Sequence, residues 1–165
     1  GRTEFNSIRV VDSGFTLADV LEAAEQKVFS YDVTLFSLDT SIKYQGWSST
    51  LEYYFRSVNS FVGGDVPDLY DHGFWFQIGK FIDPGEFELL TRWSRVQGNS
   101  GTLGQQIQST EEIAAGIAWY FKEKNHAKLV CDLNYYNGSP ISAATLDLQP
   151  GTTGWLFRTQ LQFAF

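Results

Sequence analysis

A chain of 165 residues with 43% hydrophobic and 16% aromatic content is apolar enough to bury a core, which excludes a disordered segment. Its formal net charge of -7, with no run of Lys or Arg, excludes the basic stripe that a nucleic-acid partner needs. A lone Cys131 and only two histidines, His72 and His126, fall short of an internal disulfide or a zinc ligand set, and no apolar run approaches the about eighteen residues of a membrane helix.

The chain opens on Gly-Arg-Thr-Glu, contains no methionine and shows no leader pattern, as expected of a mature or truncated piece of a longer protein. Residues 1–32 read as a loop segment. Within them TLADVLEAAEQK, from Thr16 to Lys27, sets Leu17, Val20, Leu21 and Ala24 at helical spacing behind a Thr16 cap, which predicts one short helix.

From residue 33 to 165 the period changes to two, and about seven antiparallel strands are predicted. Phe36, Leu38, Ile42 and Tyr44 alternate with Ser37, Asp39, Ser41 and Lys43; Leu51, Tyr53 and Phe55 alternate with Thr50, Glu52, Tyr54 and Arg56. Phe74, Phe76, Ile78 and Ile82 then face away from Gln77 and Gly79, as Phe87, Leu89 and Trp93 do from Glu88, Arg92 and Ser94. Ile113, Ala115, Ile117, Trp119 and Phe121 alternate with small and polar residues, and Leu129, Cys131, Leu133 and Tyr135 with Lys128, Asp132 and Asn134. The last strand sets Trp155, Phe157, Leu161, Phe163 and Phe165 against Arg158, Gln160 and Gln162. Every strand thus has an apolar, largely aromatic face and a polar one.

The connectors alternate in length. Short turns are expected at Gln45-Gly46-Trp47, Asp83-Pro84-Gly85 and Glu123 to His126, and long Gly/Ser/Asn/Pro-rich loops at Asn59 to Asp71, Gly98 to Thr110 and Gly138 to Gly154. In outer-membrane barrels short turns are periplasmic and long loops extracellular, which would put the 1–32 segment outside and Phe165 on the periplasmic side.

On the polar face four strands carry an acid and a base four residues apart: Asp39 and Lys43, Glu52 and Arg56, Glu88 and Arg92, Lys128 and Asp132. Four strand residues span roughly 13 Å, so partners must come from neighbouring strands. The predicted register across the Gly46 hairpin sets Lys43 opposite Glu52, Asp39 opposite Arg56, Ile42 opposite Tyr53 and Tyr44 opposite Leu51. Fixed charges so placed suit the wall of a water-filled pore; on a soluble sheet they would be solvated ion pairs worth little each. Aromatics near strand ends, Tyr44, Trp47, Trp93, Trp119, Phe121, Tyr135, Tyr136, Trp155 and Phe165, fit the interfacial girdles of a membrane barrel.

No catalytic constellation is present: His72 and His126 lie in different connectors, no Gly-x-Ser-x-Gly elbow occurs, and GNSGTLG precedes no helix. Asp65, Asp68 and Asp71 could gather a cation, although a solvated loop is the more ordinary use of such residues. No cofactor is implied. The rival to a porin segment is a soluble or surface β-sandwich or small barrel that binds a ligand such as a carbohydrate on its aromatic side. An eight-stranded barrel closed by residues 1–10 is a third arrangement, for which GRTEFNSIRV alternates poorly.

DVTLFSLDTSIKYQGWSSTLEYYFR, DHGFWFQIGKFI, DPGEFELLTRWS, GIAWYFKEKNHAKLVCDLNYY and FRTQLQFAF, taken in order over most of residues 28–165, resemble the C-terminal part of the phosphate-selective porin O and P family. The Lys-Tyr-x-Gly hairpin, the Glu-Tyr-Tyr-x-Arg strand and the Glu-x-x-x-Arg strand carry it most specifically. The resemblance implies an all-β fold: an incomplete, C-terminal segment of an antiparallel up-and-down transmembrane β-barrel of sixteen strands, trimeric in the bacterial outer membrane. It implies a diffusion channel for small hydrophilic solutes or anions, phosphate among them. Outer-membrane lipid, the remaining strands of the parent barrel and the barrel assembly machinery, engaged through Phe165, would be its partners. The expected pore-lining residues are Asp39, Lys43, Glu52, Arg56, Glu88, Arg92, Lys128, Asp132, Arg158, Gln160 and Gln162. Arg56, Arg92, Lys128 and Arg158 are the candidates to meet an anion, by facing inward.

Overall fold

A computed structural model describes residues 25, 27–83, 85–98, 109–121, 127–138 and 153–163. Seven strands form one antiparallel sheet in chain order: β1 (Ser30–Tyr44), β2 (Trp47–Val62), β3 (Leu69–Asp83), β4 (Phe87–Gly98), β5 (Ser109–Tyr120), β6 (Ala127–Asn137) and β7 (Gly154–Phe163). Among the described residues each strand pairs only with its neighbours in sequence, so that the seven-stranded sheet is open, with β1 and β7 as its edges. Of the expected helix at Thr16 to Lys27 only Glu25, in a turn, and Lys27 are described; the turn at Glu123 to His126 and the terminal Phe165 lie outside the described residues. β1 begins at Ser30, inside the stretch assigned to the loop segment.

Turn chemistry fixes the register of the first hairpin. Gln45 and Gly46 both have positive φ, 46° and 77°, as a two-residue type I′ turn requires, and Tyr44 therefore pairs with Trp47. The expected register fails: Asp39 stands opposite Glu52, Lys43 opposite Ser48, Arg56 opposite Leu35 and Ile42 opposite Ser49. Placing Lys43 opposite Glu52 would have required residues 45–50 to form a loop, and the tight turn is the stronger constraint. The slip is an even number of residues, so both faces keep their membership while every expected charge pair is lost.

The loop expected at Asn59 to Asp71 is also shorter than composition suggested. β2 runs to Val62, because Asn59 and Val62 pair with Asp32 and Ser30 across a bulge in which Ser60 (φ 56°) and Phe61 face the single residue Tyr31. β3 begins at Leu69, which pairs with Val58. Those two form a small buried cluster with Val28, Tyr31, Phe61 and Val66 packed against it, and this apolar contact holds the chain in strand where its polar composition predicted loop.

The pairings also carry a steady stagger. Gly46 accepts a hydrogen bond from Phe81, yet β3 continues to Asp83 before it turns. Glu86 accepts from Tyr120, and the β5–β6 ladder runs one rung further, to Phe121 and Ala127. At the opposite end the final rungs Val58–Leu69, Gln97–Ser109 and Tyr136–Gly154 recede in the same sense. The offset amounts to about one to one and a half residues per strand. With about 3.3 Å per residue and about 4.8 Å between strands, the line of turns is inclined to the rungs by about 40°.

Candidate functional site

The register assigns every strand residue to one of two faces. Asp39 and Lys43 on β1, Glu52 and Arg56 on β2, Glu88 and Arg92 on β4, Lys128 and Asp132 on β6, and Arg158, Gln160 and Gln162 on β7 all share one face. The same face holds Asp71, Trp75, Glu112, Asn134 and Tyr136, which sequence reasoning did not select, and some apolar residues, Leu35, Leu90 and Leu156 among them.

Burial on this sheet is inverted. Glu112 and Asn134, on the polar face, are fully buried, whereas Phe157 and Trp155 on the apolar face are 67% and 69% exposed. Phe36, Leu38, Ile42, Leu133, Leu161 and Phe163 are exposed with them, and among the described residues no second sheet covers them. A soluble domain hides such a surface; exposed apolar patches on monomers rarely exceed a few hundred Å².

Many of the aromatic rings on that face gather in two bands. Beside the short turns lie Tyr44, Trp47, Phe87, Trp119 and Phe121, with Trp119 stacked on Phe87 at 5.9 Å and edge-on to Phe121 at 4.7 Å. Toward the loops, Trp93, Tyr135 and Trp155 occupy a single rung, and the Tyr135 and Trp155 rings are 4.9 Å apart. Leu89, Ile117, Leu129, Leu133, Phe157 and Leu161 lie between. The charged residues of the apolar face stand at its margins: Lys80 reaches over the Trp47 ring at 4.9 Å near one end, and Arg95 and Glu111 pair in the ladder near the other. Tyr136, expected in a girdle, is on the polar face and buried.

The ion pairs of the polar face run between adjacent strands. Arg56 donates through Nε to Asp71 at 2.8 Å, with a second, shorter bond from its Nη2. Arg92 Nη2 lies 2.5 Å from Glu112 Oε1 and 2.9 Å from Asn134 Oδ1. Arg158 grips both oxygens of Asp132, through Nε at 3.0 Å and Nη2 at 2.9 Å, and the Asn134 amide also donates to Asp132. A continuous network therefore crosses β4 to β7. Glu88 accepts from the Ser48 hydroxyl at 3.1 Å and from the Tyr120 phenol at 2.9 Å, above Gly79, while Lys128 sits 5.4 Å from the Tyr120 ring.

Of the acid–base couples spaced by four, none pairs with itself. Asp71, expected in a solvated loop, is a buried partner of Arg56. Glu112 and Asn134 were missed because neither has a base four residues away on its own strand; a search for acids displaced across one hairpin would have found Arg92–Glu112.

Compared with known proteins, the chain matches no family model, no curated protein and no solved structure.

Proposed function

We propose that the chain is part of the wall of an outer-membrane porin, with β1 to β7 crossing the bilayer, the aromatic face against lipid and the polar face lining a water-filled channel for small hydrophilic solutes. The observation that carries this reading is the inverted burial: ionic side chains are buried in networks while large apolar ones stand exposed between two aromatic bands. Strand length agrees with it, since a twelve-residue strand such as β5, inclined at about 40°, rises about 30 Å, the thickness of a hydrocarbon core. So does the stagger, which matches the tilt of closed barrels. The resemblance of residues 28–165 to the phosphate-selective porin O and P family supports the same reading. It would supply the remaining wall from a sixteen-stranded, trimeric parent barrel.

Cys131 provides the test, because it is the only thiol and lies on the apolar face. In proteoliposomes it is expected to resist a charged, membrane-impermeant maleimide. A thiol moved to the polar face by Cys131→Ser with Gln160→Cys is expected to react readily. Equal reaction at the two positions, or a chain that stays in the aqueous phase once detergent is removed, would overturn the proposal.

A further inference from the structure

Deepening that reading, and resting on it, we propose that the channel wall favours cations over anions, because each of its arginines is held by a carboxylate of an adjacent strand. Arg56 is committed to Asp71, Arg92 to Glu112 and Arg158 to Asp132. A guanidinium so engaged presents no free fork to a phosphate or other anion. The charged groups of this face outside those pairs are Asp39, Glu52, Glu88, Lys43 and Lys128. Both lysines stand toward the short-turn ends of their strands, in the ladder at Ser48 and Tyr120.

The middle of the wall is different. One rung runs Asp39, Glu52, Trp75, Ser94, Glu112 and Tyr136, with three carboxylates and no base. Glu112 is neutralised by Arg92 from the next rung on this face. Asp39 and Glu52 are exposed, stand directly opposite one another and make no ion pair among the described residues. Like charges placed so oppose strand pairing, and substituting either would relieve the repulsion. Their field extends into the water in front of them, where it concentrates cations and depletes anions within about a Debye length.

Trp75 reports that field. It is the one tryptophan on the polar face, adjacent to Glu52; Trp47, Trp93, Trp119 and Trp155 all lie on the apolar face. Because those four sit in the bands where headgroups meet water, the quenching of Trp75 is taken as the difference between the full chain and Trp75→Phe, both refolded in a zwitterionic detergent, with caesium and iodide each normalised to free tryptophan amide. Two charges at about 10 Å in water enrich a monovalent cation by about fourfold unscreened and by about 1.7-fold at 0.1 M salt, and deplete an anion by the same factor, so normalised quenching by caesium should exceed that by iodide by about threefold. Asp39→Asn with Glu52→Gln should bring the two quenchers level. Iodide quenching Trp75 as well as caesium does would overturn this inference and leave the channel reading intact. A Trp75 that neither ion quenches would overturn both, because the polar face would then not be wet.

Discussion

Replacing Arg92 by methionine removes the guanidinium that donates to Glu112 at 2.5 Å, while leaving a side chain of similar length to cover Ala114, its direct partner on β5. The Glu112 side chain is 1% exposed and that of Arg92 18%, so the lost interaction is that of a buried pair, and the carboxylate left behind has little water to turn to. Breaking such a pair from one side costs about 3 to 5 kcal/mol, whereas replacing both partners by apolar groups is often close to neutral. We expect Arg92→Met to destabilise by about 3 kcal/mol, and the double variant with Glu112→Leu to recover most of that loss. The more exposed pair sets the internal scale: Arg158 and Asp132 are 38% and 18% exposed, and Arg158→Met should cost about 1 kcal/mol. Urea unfolding in detergent micelles, followed by tryptophan fluorescence, measures all of these variants. A loss under about 1 kcal/mol for Arg92→Met, with no recovery in the double variant, would refute the assignment of Arg92 and Glu112 as a buried, mutually dependent pair.

Two further substitutions probe the backbone. Gly46→Val forces a β-branched residue to φ 77° in the β1–β2 turn, and a loss of about 1 to 2 kcal/mol is expected in the same unfolding assay; an unchanged midpoint would mean that the turn does not set the register. Gly79→Ala places a methyl group 2.5 Å from Glu88 Oε1 and 2.6 Å from Ser48 Oγ, so it must break the bond between them, at a cost of about 1 to 2 kcal/mol. Ser48→Ala should cost less, and adding Gly79→Ala to it should be less damaging than in the wild type.

The division into two faces was legible in the sequence because side-chain alternation is a local property, and the eleven expected lining residues do share one face. The pairing was not, because it depends on how neighbouring strands slide. For Asp39 and Lys43 the choice between Glu52 with Arg56 and the observed partners rests on two residues, Gln45 and Gly46, whose positive φ values close the tightest turn available. Attractive charge pairing pointed to a register four residues away, and the backbone prevailed. Asn59 to Val62 escaped notice for a related reason: Asn, Ser and Gly signal a loop locally, but a bulge and the contact of Val58 with Leu69 keep that stretch in the ladder. Glu112 shows the same limit, since its importance comes from Arg92 on another strand.

The count of strands has a consequence for how the sheet is completed. In an up-and-down sheet of seven, the first and last strands point the same way, so β1 and β7 could meet only in parallel. A ring made wholly of antiparallel neighbours must therefore insert an odd number of additional strands between these edges, and identical copies joined edge to edge around a common axis would meet with the wrong polarity at every seam.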